Sequence, residues 1–187
     1  VPDSTRLVVG LFGRVAPWKG QHVAIEAVAR LEGVTLLIVG APLFGEVAYA
    51  EELARLVERL GLADRVKLLG FREDIPSLMR VVDVVIHTSL APEPFGRVLV
   101  EAMLMERPVI AADAGGAREI VQEGVTGLLV PPGRSDDLAG ALRRLLEDSA
   151  LRVEMGRRGR ERAEGHFTLR PTLNALDDLI TSIASGR

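Results

Sequence analysis

Residues 6 to 20 read R-L-V-V-G-L-F-G-R-V-A-P-W-K-G, and they are followed by an amphipathic stretch over 20 to 31 and a second apolar run, V-T-L-L-I-V, at 34 to 39. An apolar run closed by a glycine- and proline-bearing turn, then a helical repeat, then another apolar run is the pattern of a parallel β-α-β unit. The pattern recurs along the chain. It predicts further strands at 65 to 69, 83 to 87, 108 to 111 and 126 to 130, with helices over 48 to 61, 74 to 81, 96 to 106, 116 to 123 and 135 to 148. The strand candidates are near-continuous in Val, Leu and Ile rather than alternating, which is what burial on both faces of a sheet demands.

The expected fold class is therefore α/β: a doubly wound, six-stranded parallel Rossmann-like sheet with helices on both faces. After Val130 the turn Pro131-Pro132-Gly133 leads to Ser135, an expected N-cap. Residues 150 to 165 and 171 to 184 read as C-terminal helices, split near Gly165 and by Pro171. No internal repeat, low-complexity tract or linker interrupts residues 1 to 187, so a single domain is expected.

The chain has 187 residues, 48% apolar and 26% charged, enough for one substantial core. A formal charge of −3 gives no general electrostatic reason to bind nucleic acid or an anionic membrane. Any anion site must be a local cluster of basic groups. Cysteine is absent, which excludes disulfides and thiolate metal sites. The run from Val81 to Ile86 carries Asp83, no run approaches the roughly 20 residues of a membrane span, and no basic-then-apolar leader opens the chain. A soluble, cytoplasmic protein is expected, without a transmembrane segment.

In open parallel sheets, ligands bind beyond the carboxyl ends of the strands, where helix-start amides meet the crevice. After the first strand, Gly13 to Gly20 place Arg14 and Lys19 five residues apart on one loop. A guanidinium fork and a separate ammonium suit a diphosphate; a solvated surface loop is the alternative. After the fourth strand, Ser89 to Met103 carry Glu93 before the helix and Glu101 in its second turn. The Phe95, Gly96 and Arg97 amides could face an anion while the two carboxylates accept paired hydroxyls of a sugar or ribose. Against this stands a capping acid with an exposed helical glutamate. Gly115 and Gly116 in the loop 113 to 119 permit tight turning and close backbone approach, or simply a helix start.

Other residues carry weaker signals. His87 ends a strand and suits packing or hydrogen bonding; His22 and His166 lack partners at metal spacing. Met103 and Met105 read as core, Trp18 as either a site edge or a loop wedge, and Asp136-Asp137 as first-turn helix acids. No D-x-D pair offers a diphosphate-bound metal. A dehydrogenase is disfavoured, because the first turn lacks G-x-G-x-x-G and the second strand ends Val39-Gly40-Ala41-Pro42 without a ribose-binding acid.

Four motifs in order, G-R-x-x-x-x-K-G (13 to 20), E-x-F-G-x-x-x-x-E (93 to 101), G-G-x-x-E (115 to 119) and G-L-L-V-P-P-G (127 to 133), resemble the C-terminal domain of family 4 retaining glycosyltransferases of GT-B architecture. The resemblance covers roughly residues 5 to 170. It implies that Arg14 and Lys19 bind and stabilise the leaving diphosphate of a nucleoside-diphosphate sugar, that Glu93 holds the sugar hydroxyls and that Glu101 holds the ribose hydroxyls. Gly13 and the backbone of Phe95, Gly96, Arg97 and Val98 would line phosphate and sugar, and Phe71 and Arg72 would border the base. It also implies metal-independent hexosyl transfer with retention and no cofactor. The family's acceptor-binding N-terminal domain is not found in this sequence, so the domain alone is expected to be inactive. Residues 171 to 184 would cross toward that domain through Leu173, Leu176, Leu179 and Ile180, and the whole enzyme could sit peripherally at a membrane. Ser89 stands four residues before Glu93, one more than the commonest family spacing. Within the same architecture, a phosphorylase, an epimerase or a non-catalytic nucleotide-binding or interaction module keeps the same motifs' fold without the same reaction.

Overall fold

The structure, a computed structural model, describes residues 6 to 184. Six parallel strands, β1 (Leu7–Phe12), β2 (Val34–Val39), β3 (Val66–Gly70), β4 (Val84–His87), β5 (Val109–Ala112) and β6 (Gly127–Val130), form one sheet in the order β3-β2-β1-β4-β5-β6. The helices are α1 (Gln21–Ala29), α2 (Val47–Arg59), α3 (Ile75–Val81), α4 (Arg97–Leu104), α5 (Ala117–Ile120), α6 (Ser135–Glu147), α7 (Ser149–His166) and α8 (Leu169–Ala184). The α/β, doubly wound reading of the sequence is what is found.

The strand residues divide between two cores. Val84, Ile86 and Ile110 join α1, α2 and α6 in one cluster, while Val85, Val109 and Ala111 join α3, α4 and α5 in the other. Successive side chains point to opposite faces, so a strand covered on both sides must be apolar throughout, and every residue of β4 and β5 is buried. β3 lies at the sheet edge and is buried only at Val66. Met103 is a fully buried member of the second cluster. Among the described residues no helix is long and apolar enough to cross a membrane.

Several helix ends differ from expectation by one to three residues, and three of the differences are instructive. α5 stops at Ile120 rather than 123, because Val121 turns extended and Thr126 Oγ1 accepts the Gln122 amide in a local turn that competes with the helix. Ser135 is the first helical residue of α6, not its cap; Arg134 holds that position with no side-chain cap bond. The first-turn acids Asp136 and Asp137 favour the helix start instead, and Asp136 pairs at 2.6 Å with Arg30, the residue that follows α1. The last two helices divide at Phe167 rather than at Gly165 or Pro171. Gly165 stays helical, and Pro171 falls in the first turn of α8, where a missing N–H leaves no bond unmade.

The chain reverses direction of winding between β1 and β4, which are neighbours in the sheet. The loops leaving these two strands part to opposite faces and open a crevice at their carboxyl ends. Leu173, Leu176, Leu179 and Ile180 of α8 are about half exposed.

Candidate functional site

The β1 loop continues through a short 3-10 turn, Pro17–Lys19, to Gly20. It is pinned to the β4 loop by backbone: Leu90 N–H donates to Trp18 O at 2.7 Å, and Thr88 Oγ1 donates to Lys19 O at 2.8 Å. Gly20 lies so close that a Cβ there would stand 2.2 Å from Thr88 O, and its φ of 69° is left-handed. Buried Gln21 donates to Arg14 O at 2.8 Å. The backbone of the loop that carries Arg14 and Lys19 is thus fixed independently of their charges.

The β4 loop is held from its other side by Gly115 and Gly116. Gly116 N–H donates to Glu93 O at 2.8 Å, and added Cβ atoms would approach Glu93 O to 2.3 Å and Phe95 O to 2.5 Å. Of the alternatives open for these glycines, close backbone approach to a neighbouring loop is realised. α4 then begins after Gly96, whose φ of 95° is left-handed, with no side-chain cap on its first-turn amides.

Between these loops lies an open crevice of about 720 Å³. Gly13, Arg14, Lys19, Phe71, Arg72, Glu93, Phe95, Gly96, Arg97, Val98 and Glu101 all line it, so every residue assigned to phosphate, sugar, ribose or base by the resemblance faces one space. Sequence reasoning missed Leu43, Pro94 and Ile75 in the wall.

Lys19 and Glu93 meet across the switch point, Nζ to Oε1 at 2.5 Å. The same oxygen receives His87 Nε2 at 2.8 Å and the Ser89 hydroxyl. Burial pushes the Glu93 carboxyl up, but the hydrogen bonds from His87, Lys19 and Ser89 outweigh it and hold the group at about 2. Glu93 is therefore a carboxylate, an acceptor, at neutral pH. His87 takes the hydrogen-bonding role left open for it.

Arg14 is caged. Its guanidinium lies 5.2 Å from the Phe44 ring centre and 5.8 Å from that of Trp18, and Nε is 3.6 Å from Glu46 Oε2. The Trp18 ring also faces Lys19 Nζ at 4.5 Å, so it wedges between the two cations. Glu46 and Phe44 belong to the β2–α2 loop and gave no signal in sequence, because only the pairing of β1 with β2 brings them to Arg14. Arg72 forks onto Asp74 with two bonds of 2.8 Å, and Phe71 stands exposed at the rim. His22 bonds Tyr49 at 2.8 Å and His166 lies beside Phe167, both outside the crevice wall. Among the described residues no three metal-ligating side chains converge.

Two cations and uncapped helix-start amides can receive an anion, and two carboxylates at different depths can receive hydroxyl groups. Known proteins resemble the chain in sequence and in fold. The Glycosyl transferases group 1 model matches residues 1 to 162. The lipopolysaccharide core biosynthesis glycosyltransferase LpsE of Rhizobium meliloti is 33% identical over 94% of this chain and 50% of its own length. Anabaena Alr3699/HepE, solved with UDP, superposes with a TM-score of 0.91 at 43% identity over 97% of this chain and 53% of its own; it has also been solved with UDP-glucose. The C-terminal domain of the group 1 family protein LpcC from Francisella tularensis, solved by itself, gives 0.78 at 29% identity over 87% of each chain. The chain spans about half the length of LpsE and HepE. With the family model covering most of its length, the chain belongs to the group 1 glycosyl transferases.

Proposed function

We propose that the crevice binds a uridine-diphosphate sugar and that, in the whole protein, it supports metal-independent transfer of a hexosyl group with retention of configuration. The observation that carries this reading is the Lys19–Glu93 pair across the switch point, which sets a phosphate-binding cation beside a hydroxyl-accepting carboxylate. Arg14 and Lys19 take the diphosphate and stabilise its charge as it leaves, the task a metal would otherwise perform. Glu93 holds the sugar hydroxyls and Glu101 the ribose hydroxyls. The Phe95 to Val98 backbone and Gly13 line the phosphate and sugar, and Phe71 and Arg72 border the base. The uridine assignment rests on the UDP and UDP-glucose held by HepE, at 43% identity. An N-terminal domain holds the acceptor and covers the apolar side of α8, so this chain alone binds donor but transfers poorly.

Calorimetric titration of the chain with UDP, GDP and ADP, each with magnesium and with chelator, tests the reading. The expected result is a preference for UDP, at roughly micromolar to millimolar affinity, that magnesium leaves unchanged. A folded chain that binds none of the three, or binds only with magnesium, overturns it. Proton NMR of the product's anomeric centre, made by the full-length protein, checks retention.

A further inference from the structure

Glu93 Oε1 carries more donors than its lone pairs can fully serve. Lys19 Nζ, His87 Nε2 and the Ser89 hydroxyl all converge on it, while a carboxylate oxygen offers about two acceptor sites. The three donors differ in how they are held. Lys19 comes from the β1 loop on a flexible four-carbon stem and lies in the crevice wall. His87 is the last residue of β4 and 6% exposed, and Ser89, two residues on, is 1% exposed. Ser89 Oγ also lies 3.3 Å from His87 Nε2, so the buried pair forms one unit around the carboxylate.

The other ring nitrogen of His87, Nδ1, is buried with no partner. A histidine that relays protons needs a group at each nitrogen; this one has a contact on one side only. Its place in the network is to hold.

We infer that His87 and Ser89 are positioning residues that keep Glu93 fixed when a diphosphate draws Lys19 away. Without them, the release of Lys19 would leave a largely buried carboxylate unpaired, a costly state that the side chain would escape by turning toward water. With them, Lys19 is free to move to phosphate and Glu93 stays aimed at the sugar position. The inference rests on the reading of Glu93 as the sugar-hydroxyl acceptor.

The test compares UDP with UDP-glucose on the wild-type chain and on His87→Leu, His87→Gln, Ser89→Ala and Glu93→Gln, with thermal melts to confirm folding. His87→Leu and Ser89→Ala should weaken UDP-glucose about tenfold more than UDP, and His87→Gln, which keeps a donor in reach, should recover most of that difference. Parallel weakening of both ligands, or no weakening of either, in folded variants overturns the inference. If Glu93→Gln separates the two ligands and the His87 and Ser89 variants do not, this inference alone falls. If Glu93→Gln also fails to separate them, the reading of Glu93 falls with it. Nitrogen-15 NMR of His87 adds an independent readout: the Nε2–H form is expected both free and with saturating UDP, and a switch to Nδ1–H on binding is incompatible with the holding role.

Discussion

Gly116→Ala isolates what the paired glycines contribute. Gly116 has ordinary helical dihedrals, φ −61° and ψ −18°, so alanine meets no backbone strain there. The whole effect is steric. The new Cβ would stand 2.5 Å from Phe95 O and 2.7 Å from both Phe95 Cα and Pro94 O, all of them main-chain atoms that no rotamer change can move. Ordinary carbon contact needs about 3.5 Å, so the 94 to 96 segment must retreat by about 1 Å. Overpacking of this kind costs about 1 to 3 kcal/mol, and the entropy gained by removing a glycine returns about 0.4 to 1 kcal/mol. The net expectation is a loss of about 1 to 2 kcal/mol, a fall in Tm of about 3 to 6 °C for a chain of this size. The displaced segment carries Phe95 and Gly96, so UDP affinity should fall about tenfold or more, and transfer by the whole protein about a hundredfold. Gly140→Ala is the control: it sits exposed within α6 with open space around it and should gain about 0.5 to 1 kcal/mol. Urea unfolding and UDP titration of both variants decide the matter. If Gly116→Ala matches wild type in stability and in UDP binding, the buttress has no energetic role and the close approach is incidental.

Arg14→Ala and Lys19→Ala in the full-length protein should each lower kcat by about a hundredfold or more, the scale of losing one preorganised donor; unchanged turnover sinks their assignment to the leaving diphosphate. Glu93 titrates at about 2 when folded against 4.5 as its ordinary value, so between those pH values the unfolded chain binds more protons. Its contribution to stability is present above about pH 4.5 and is lost as pH falls toward 2, and urea unfolding across that window should show a flatter slope for Glu93→Gln. Equal slopes would mean that the hydrogen bonds to Glu93 do not persist in solution. Asp83 caps the start of β1, accepting from Val8 N–H at 2.7 Å while its own N–H donates to Val8 O at 2.7 Å. Asp83→Ala should cost about 1 to 3 kcal/mol in urea unfolding by orphaning the Val8 amide, and a smaller loss would show that water reaches it.

The inner strands were legible because burial on both faces leaves a strand no room for polar alternation, and each strand, the exposed edge strand β3 included, falls within a residue of its expected place. Helix ends were less legible where side chains compete with the helix for its amides, as Thr126 does beyond α5. In the site, residue types on strand-end loops could be read, since a topology that gathers those loops also gathers their charges. Partners contributed by distant loops could not. Glu46 and Phe44 reach Arg14 only through the β1–β2 pairing. His87 and Ser89 did carry a signal: two residues apart at the end of a strand, they point the same way, toward an acid on the following loop.

The structure also explains why net charge is a poor guide to this crevice. Three of the four cations in its wall rest on a carboxylate: Lys19 on Glu93, Arg14 on Glu46 and Arg72 on Asp74. On the proposed reading, an incoming diphosphate gains less from a bare positive field than from exchanging partners with Lys19 and Arg14, whose side chains are already largely shielded from water. Such an exchange rewards a ligand that supplies two phosphates at the right separation and hydroxyls for the displaced carboxylate, and gives little to a simple anion, which can replace one partner but not satisfy the other. On that reading the pairing of Lys19 with Glu93 is a device for selectivity as much as for stability. The pair keeps Lys19 and Glu93 satisfied by each other until a ligand that can satisfy both at once takes its place, as the proposed sugar nucleotide would.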